Sequence, residues 1–265
     1  MQLLADLGFD PVLAPGMDSR LEYLAGTDSN RLDGLMALWR DESVSAIMCA
    51  RGGYGCMRLL DRIPYETIEH HPKTLIGFSD VTALLHALHQ RTGLITFHGP
   101  MVTSLAGLDE PSIQAFVRMT TSPRMPDLLW PEVEVLKGGD SEGALTGGNL
   151  TMLCHLMGTP YEPEFDSAVL FIEDTGEVMY RIDRALTHLR LSGKFDRLRG
   201  LLIGHFGESA QEEHVWERVL ELWGGDGFPI WGRAPIGHGS SNHILPIGLP
   251  AVLNSARCSI TFPYD

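Results

Sequence analysis

The sequence has no CxxC pair, and its four cysteines, Cys49, Cys56, Cys154 and Cys258, are scattered through 265 residues. A chain of that length buries enough apolar surface to fold without disulfide staples. The pattern therefore excludes a disulfide-built scaffold and fits reduced thiols acting as small buried hydrophobes. No apolar run approaches the ~18 residues that a membrane-spanning helix requires. The opening "MQLLADLGFDPVLAP" also lacks a basic segment followed by a long apolar stretch. Positive charge is scarce: 20 Lys and Arg stand against 34 Asp and Glu, a net charge of −14. Coulomb repulsion at that balance argues against nucleic acid and anionic membrane surfaces as partners. No G-x-x-x-x-G-K-[ST] or G-x-G-x-x-G loop supports nucleotide binding, and no H-E-x-x-H or comparable ligand spacing suggests a metal. These absences describe a soluble, cytoplasmic, globular chain with no cofactor.

What is present is an alternation. Up to about residue 120, short apolar runs ("PVLAP", "VSAIMCA", "TLIGF", "LITF") alternate with helical patterns ("SNRLDGLMALWRD", "YGCMRLLDRI", "VTALLHALHQ"). That is the pattern of a doubly wound parallel α/β sheet. Residues 121–143 carry prolines and glycines, break the rhythm and read as a crossing segment with one strand, "EVEVL". Residues 144–265 resume with a helix "NLTMLCHLM", a strand "AVLFIED", helices "YRIDRALTHLRLSG" and "EEHVWERVLELW", a strand "GLLIGHF" and a final strand "CSITF". The expectation is an N-terminal domain over 1–120, a linker over 121–143 and a smaller C-terminal α/β domain over 144–265.

Four segments carry candidate chemistry. Ser79 sits between the strand "TLIGF" and the helix beginning near Val81, where a serine is either an N-cap or the nucleophile of a sharp strand-to-helix elbow. The usual G-x-S-x-G pattern fails, because Asp80 and Val81 follow the serine. "CARGGYG", residues 49–55, follows a strand, and Gly52 and Gly53 let backbone N–H groups approach a ligand as an oxyanion hole requires; a plain tight turn is the alternative. "FIEDTGE" ends a buried strand with Glu173, Asp174 and Glu177, and a carboxylate there can orient a catalytic imidazole; a solvated strand end or helix cap is the simpler reading for Asp174 and Glu177. In "IGHGSSNHILPIGLP", His238 lies between two glycines in a polar loop and is a better base candidate than His243. His86, His89, His155 and His188 fall in helical patterns, and His98 in "FHGPM" is ambiguous.

Seven ordered motifs, "CARGGYGCMRLLD", "LIGFSDVTALLHAL", "FHGPM", "LTGGNLTML", "LFIEDTGEVMYRIDRALTHL", "GLLIGHF" and "PIGHGSSNHILPIGLPAVL", together closely resemble the LD-carboxypeptidases, or muramoyl-tetrapeptide carboxypeptidases. The resemblance implies a serine nucleophile at Ser79, a triad acid at Glu173 and a base at His238. It also implies an oxyanion hole from the backbone N–H groups of Gly53 and Asp80, with Ser79 supplied by the N-terminal domain and Glu173 and His238 by the C-terminal one, so that the active site lies in the cleft between the domains. Arg51, beside Gly52, is a candidate contact for a substrate carboxylate, with an ion pair inside the domain as the alternative. The implied reaction hydrolyses the bond between meso-diaminopimelate and a terminal D-alanine of murein tetrapeptides during peptidoglycan recycling, by a cytoplasmic enzyme that commonly forms homodimers. The rival readings are a microcin-immunity-type serine peptidase acting on an acyl-sulfamoyl peptide nucleotide, and a non-catalytic muropeptide-binding protein. Members of the family begin with a strand, an Ala-Pro-Ser-like turn and a helix. The opening here matches the end of that helix, so roughly thirty residues, one strand-turn-helix unit, are expected upstream of Met1, or a less stable and less active protein without them.

Overall fold

The computed structural model describes residues 1–207 and 210–263. The N-terminal part contains helices α1 (Gln2–Asp6), α2 (Asp28–Arg40), α3 (Tyr65–His70), α4 (Thr82–Thr92), α5 (Val102–Leu105) and α6 (Glu110–Thr121) around strands β1 (Ala46–Met48), β2 (Thr74–Gly77) and β3 (Thr96–His98). The remainder contributes β4 (Leu128–Leu129), β5 (Glu134–Lys137), β6 (Asp140–Asn149), α7 (Leu150–Leu156), β7 (Ala168–Glu173), α8 (Met179–Leu191), β8 (Gly200–Ile203), α9 (Glu212–Trp223), β9 (Ile230–Gly232), β10 (Leu245–Ile247), β11 (Pro250–Asn254) and β12 (Ser259–Thr261).

Two sheets result. The first has the order β1-β2-β3-β10 and the second β4-β12-β11-β6-β7-β8-β9-β5. β1, β2 and β3 run parallel, as the alternating pattern predicts, but the fourth strand, β10, arrives from the C-terminal part and pairs antiparallel with β3. The chain is thus not cut at one point: after building the second sheet it returns to the first for three residues, then goes back. The segment 121–143 is also more than a crossing. It supplies β4 and β5, the two edge strands of the second sheet, and the start of β6. Among the described residues the second sheet has eight strands, β4 and β5 among them, and the first has four.

Residues 11–15, read from their apolar run as a strand, have no strand geometry, and Val12 and Leu13 are 56 % and 63 % exposed. Among the described residues β1 is an edge strand of the first sheet, and this segment runs past it without pairing, its apolar side chains left in solvent. The helical pattern of Tyr54–Ile63 is met by a 3₁₀ helix, Cys56–Arg62. Local signals hold elsewhere. α2 begins with a capping box, Thr27 Oγ1 accepting from the Asn30 amide at 3.1 Å, and α6 begins with Asp109 accepting from the Ser112 amide at 2.9 Å.

The placement of the site follows from the two buried faces of β7. "AVLFIE" is buried at every position, as expected of a central parallel strand covered on both sides. Ala168, Leu170 and Ile172 pack with Ile182, Leu186, Val215 and Val219 of α8 and α9. Val169 and Phe171 instead join the core that includes the first sheet and α4. Side chains alternate along a strand, so Glu173 shares the face of Val169 and Phe171 and looks toward the first unit. A slip of one residue would turn it toward α8. Close backbone approach then locks the two units together. The His86 Nε2–H donates to Gly147 O at 2.8 Å, and the Asn149 amide donates to Thr82 Oγ1 at 3.2 Å. Gly148 (φ +143°) lies so close to Thr82 that a Cβ there would stand 2.6 Å from Thr82 Cγ2, which is why "LTGGN" carries glycine at that position.

Candidate active site

Ser79 stands at φ +65°, a left-handed conformation that costs a non-glycine residue of the order of 1–2 kcal/mol. The backbone reverses here: Phe78 is extended, Ser79 is left-handed, and a short 3₁₀ turn, Ser79–Val81, runs into α4. Gly77, two residues before the serine, is required by this turn, because a Cβ would stand 2.7 Å from Val81 Cγ1 and 3.2 Å from Cys49 Cβ. This explains the half-matched motif. The glycine before the serine is kept, while the position two after it is Val81, which folds back over Gly77. No side-chain cap bond from Ser79 to the helix is made. The elbow reading therefore fits the geometry better than the N-cap reading.

The turn after β1 approaches the serine from the other side. A Cβ on Gly52 would lie 3.0 Å from Ser79 Cβ and 3.1 Å from Ser79 Oγ, so only glycine lets this backbone reach the hydroxyl. Gly53 is at φ +136°. Asp80 is the second residue of the 3₁₀ turn, whose first N–H groups have no partner within it. Its carboxylate accepts from the Cys56 amide at 2.8 Å and so ties the two turns together. Arg51 is exposed, its Nε–H donates to the neighbouring Gly52 O at 3.2 Å, and it makes no ion pair among the described residues. The guanidinium is therefore available to a carboxylate rather than consumed inside the domain.

His238 and Glu173 meet as a pair: His238 Nδ1 and Glu173 Oε2 are 2.6 Å apart, with the carboxylate fully buried and the imidazole mostly so. Burial pushes the Glu173 carboxyl above the usual carboxylate range, and the hydrogen bond from His238 works against that shift. The bond fixes Nδ1 as the protonated nitrogen and leaves Nε2 to act on a substrate or nucleophile. Gly237 (φ +108°) makes room, since a Cβ would stand 2.7 Å from Glu173 Oε2, and the Gly237 amide donates to Asn242 Oδ1 at 3.1 Å. The His238 ring lies against Phe78, centroid to centroid 4.6 Å, which sets the imidazole beside the residue that precedes Ser79.

The other candidates have structural roles. Asp174 is buried and accepts from Asn149 Nδ2 at 2.9 Å, from the Thr151 amide at 3.0 Å and from Thr151 Oγ1 at 2.7 Å, a carboxylate anchoring the start of α7. Glu177 pairs with Arg181 at 3.3 Å. His243 accepts from the Trp130 indole N–H at 2.9 Å. His86 is the interdomain donor described above, burial pulling it down to about 4. Sequence reasoning missed Gly77, Gly237 and Asn242 as shapers of the site; the signals were a glycine two residues before Ser79 and glycines on either side of His238. The four cysteines are unpaired, and burial pushes Cys49 up to about 12, too high for a nucleophilic thiolate. Among the described residues no group of three or more His, Cys, Asp or Glu gathers as a metal site, and no helix is long and apolar enough to cross a membrane.

Sequence comparison matches residues 1–99 to the LD-carboxypeptidase N-terminal domain and residues 142–253 to the LD-carboxypeptidase C-terminal domain. A probable murein peptide carboxypeptidase of Bacillus subtilis is 38% identical over 264 residues, covering 96% of this chain and 82% of that protein. The crystal structure of a muramoyltetrapeptide carboxypeptidase from Oxalobacter formigenes superposes with a TM-score of 0.84 at 28% identity, over 99% of this chain and 93% of that one. That of an MccF-like protein from Bacillus anthracis superposes with a TM-score of 0.92 at 26% identity, over 100% of this chain and 90% of that one. A two-sheet α/β fold, a glycine-lined serine elbow and a buried carboxylate–imidazole pair thus coincide with both domain matches: the chain belongs to the LD-carboxypeptidase family and is a serine carboxypeptidase.

Proposed function

We propose that this enzyme releases the terminal D-alanine from murein tetrapeptides by cleaving its bond to the L-centre of meso-diaminopimelate, as a step in cytoplasmic peptidoglycan recycling. The observation that carries the reading is the buried 2.6 Å Glu173–His238 pair lying against the residue before a left-handed serine. In this reading His238 Nε2 accepts the Ser79 proton as Oγ attacks the scissile carbonyl. The tetrahedral oxyanion is held by the backbone N–H groups of Gly53 and Asp80. Collapse breaks the C–N bond, and His238 returns the proton to the departing amine of D-alanine. Water then repeats the cycle on the acyl-enzyme and frees Ser79. Glu173 keeps the imidazole in the Nδ1–H tautomer and stabilises its cation. Arg51, beside Gly52, receives a substrate carboxylate, and the reaction needs no metal or cofactor.

Incubation with murein tetrapeptide tests this directly, with loss of one alanine mass and release of free alanine as the expected result. The likeness to an MccF-like protein supports a second reading, a peptidase acting on acyl-sulfamoyl peptide nucleotides. Turnover of such a nucleotide without turnover of tetrapeptide would select it. Tetrapeptide binding with no release of either product would point to a sensor instead.

A further inference from the structure

His98, the last residue of β3, is fully buried, and neither ring nitrogen has a hydrogen-bond partner. A polar ring left unpaired in an apolar site is costly. It does not stand alone, however. Its ring meets Phe78 edge-to-face (5.8 Å between centroids, 67° between planes) and Phe171 likewise (5.0 Å, 71°). Phe78 precedes Ser79 and lies against the His238 ring at 4.6 Å, and Phe171 is on the same face of β7 as Glu173, two residues earlier. One side chain from the first sheet therefore touches the backbone neighbour of the serine and the strand neighbour of the carboxylate.

We propose that His98 is a positioning residue: it wedges Phe78 between itself and the His238 imidazole, and so holds the base at a fixed angle between the Ser79 turn and Glu173. The edge-to-face geometry turns the electropositive rim of one ring toward the electron-rich face of another, which satisfies part of the hydrogen-bonding demand of a ring with no oxygen or nitrogen partner. Burial keeps His98 uncharged, with its pKa drawn down to about 3, so it adds no positive charge beside the His238 cation formed during the reaction. A simple core filler would set stability alone. A wedge sets the orientation of His238, and small misplacements of a catalytic group are costly in turnover rather than binding.

The proposal rests on His238 being the base, and two measurements separate its failure from failure of that assignment. On murein tetrapeptide, His98→Ala is expected to lower kcat roughly 10- to 100-fold with KM nearly unchanged, and His98→Phe, which restores an edge-to-face ring, to recover most of it. Phe78→Leu is expected to lose kcat to the same degree, and the double variant His98→Ala/Phe78→Leu to be no worse than the worse single one, because both remove the same wedge. Independently of activity, the ring resonances of His238 in a Ser79→Ala background, read by ¹⁵N NMR, are expected to shift or broaden on His98→Ala and to be retained in His98→Phe. Full kcat in folded His98→Ala, additive losses in the double variant, or an unmoved His238 ring signal would each overturn the wedge. If His98→Ala does not fold, His98→Phe and Phe78→Leu carry the test: an inactive His98→Phe or a fully active Phe78→Leu would sink it. Loss of activity in every variant with an unmoved ring signal would overturn the wedge while leaving His238 as the base.

Discussion

Replacing Glu173 by glutamine changes one atom in a site with no room to rearrange, and its two consequences have opposite sign. Gln is isosteric, and the contact shell that would place a Gly237 Cβ 2.7 Å from the carboxylate leaves the new side chain no alternative position. If its amide nitrogen replaces Oε2, it donates to His238 Nδ1 across the 2.6 Å contact and drives the ring proton onto Nε2, the nitrogen that accepts the serine proton in the proposed mechanism. If its oxygen keeps that position, the tautomer survives but the imidazolium loses its anionic partner. Loss of the triad carboxylate by amide substitution costs about ten-thousand-fold in kcat, which at 1.36 kcal/mol per tenfold is about 5.5 kcal/mol of transition-state stabilisation. Stability should move the other way or not at all, because burial already disfavours the Glu173 charge and the amide removes it. The assay is alanine release under saturating tetrapeptide, with thermal melting of the same samples. Glu177→Gln is the control: it breaks a surface pair with Arg181 of 3.3 Å, worth about 0–1 kcal/mol, and should leave kcat within about threefold. Glu173→Gln retaining a tenth of wild-type activity, or Glu177→Gln proving the more damaging, would refute the assignment of the acid.

Ser79→Ala and Ser79→Gly should both lose turnover by several orders of magnitude, but at φ +65° glycine relieves the left-handed strain that alanine keeps, so the Gly variant should resist urea by about 1 kcal/mol more; equal midpoints would show that the turn is unstrained. Gly52→Ala would push a methyl to 3.0 Å from Ser79 Cβ and 3.1 Å from Oγ, so kcat should fall at least about tenfold while melting changes little, and full activity would mean that this backbone does not border the nucleophile. Stability should fall as pH drops below 6.5, because buried His86 (about 4) and His98 (about 3) stay neutral when folded while the unfolded chain protonates both from 6.5 downward. Each contributes a slope of about 1.4 kcal/mol per pH unit, and Glu173, raised in the folded state, binds its proton earlier and offsets part of the loss. Urea midpoints from pH 7 to 5 should show a shallower slope in His98→Phe, and an unchanged slope would show that His98 titrates normally.

The alternation of apolar runs with helical patterns determined that the chain is α/β, because strand and helix periodicities are local properties of the chain. Gly77 two residues before Ser79, the Gly52–Gly53 pair and the glycines on either side of His238 likewise marked where backbone must approach closely. Strand pairing is not local. Residues 11–15 look as apolar as β1 yet form no strand, because pairing depends on where the segment is carried relative to a sheet edge and not on its own apolar run. β10, three residues of "LPI", joins the first sheet from far along the chain, a choice made by the edge of β3 rather than by its own sequence. Glu173, Asp174 and Glu177 are chemically alike within five residues, and the sequence favoured Glu173 only as the residue that ends the strand, the other two reading more simply as a solvated strand end or a helix cap. The pleat of β7 separates their surroundings: it turns Glu173 to the face it shares with Phe171, where it meets His238, while Asp174, one residue on, anchors α7 and Glu177 stays with Arg181.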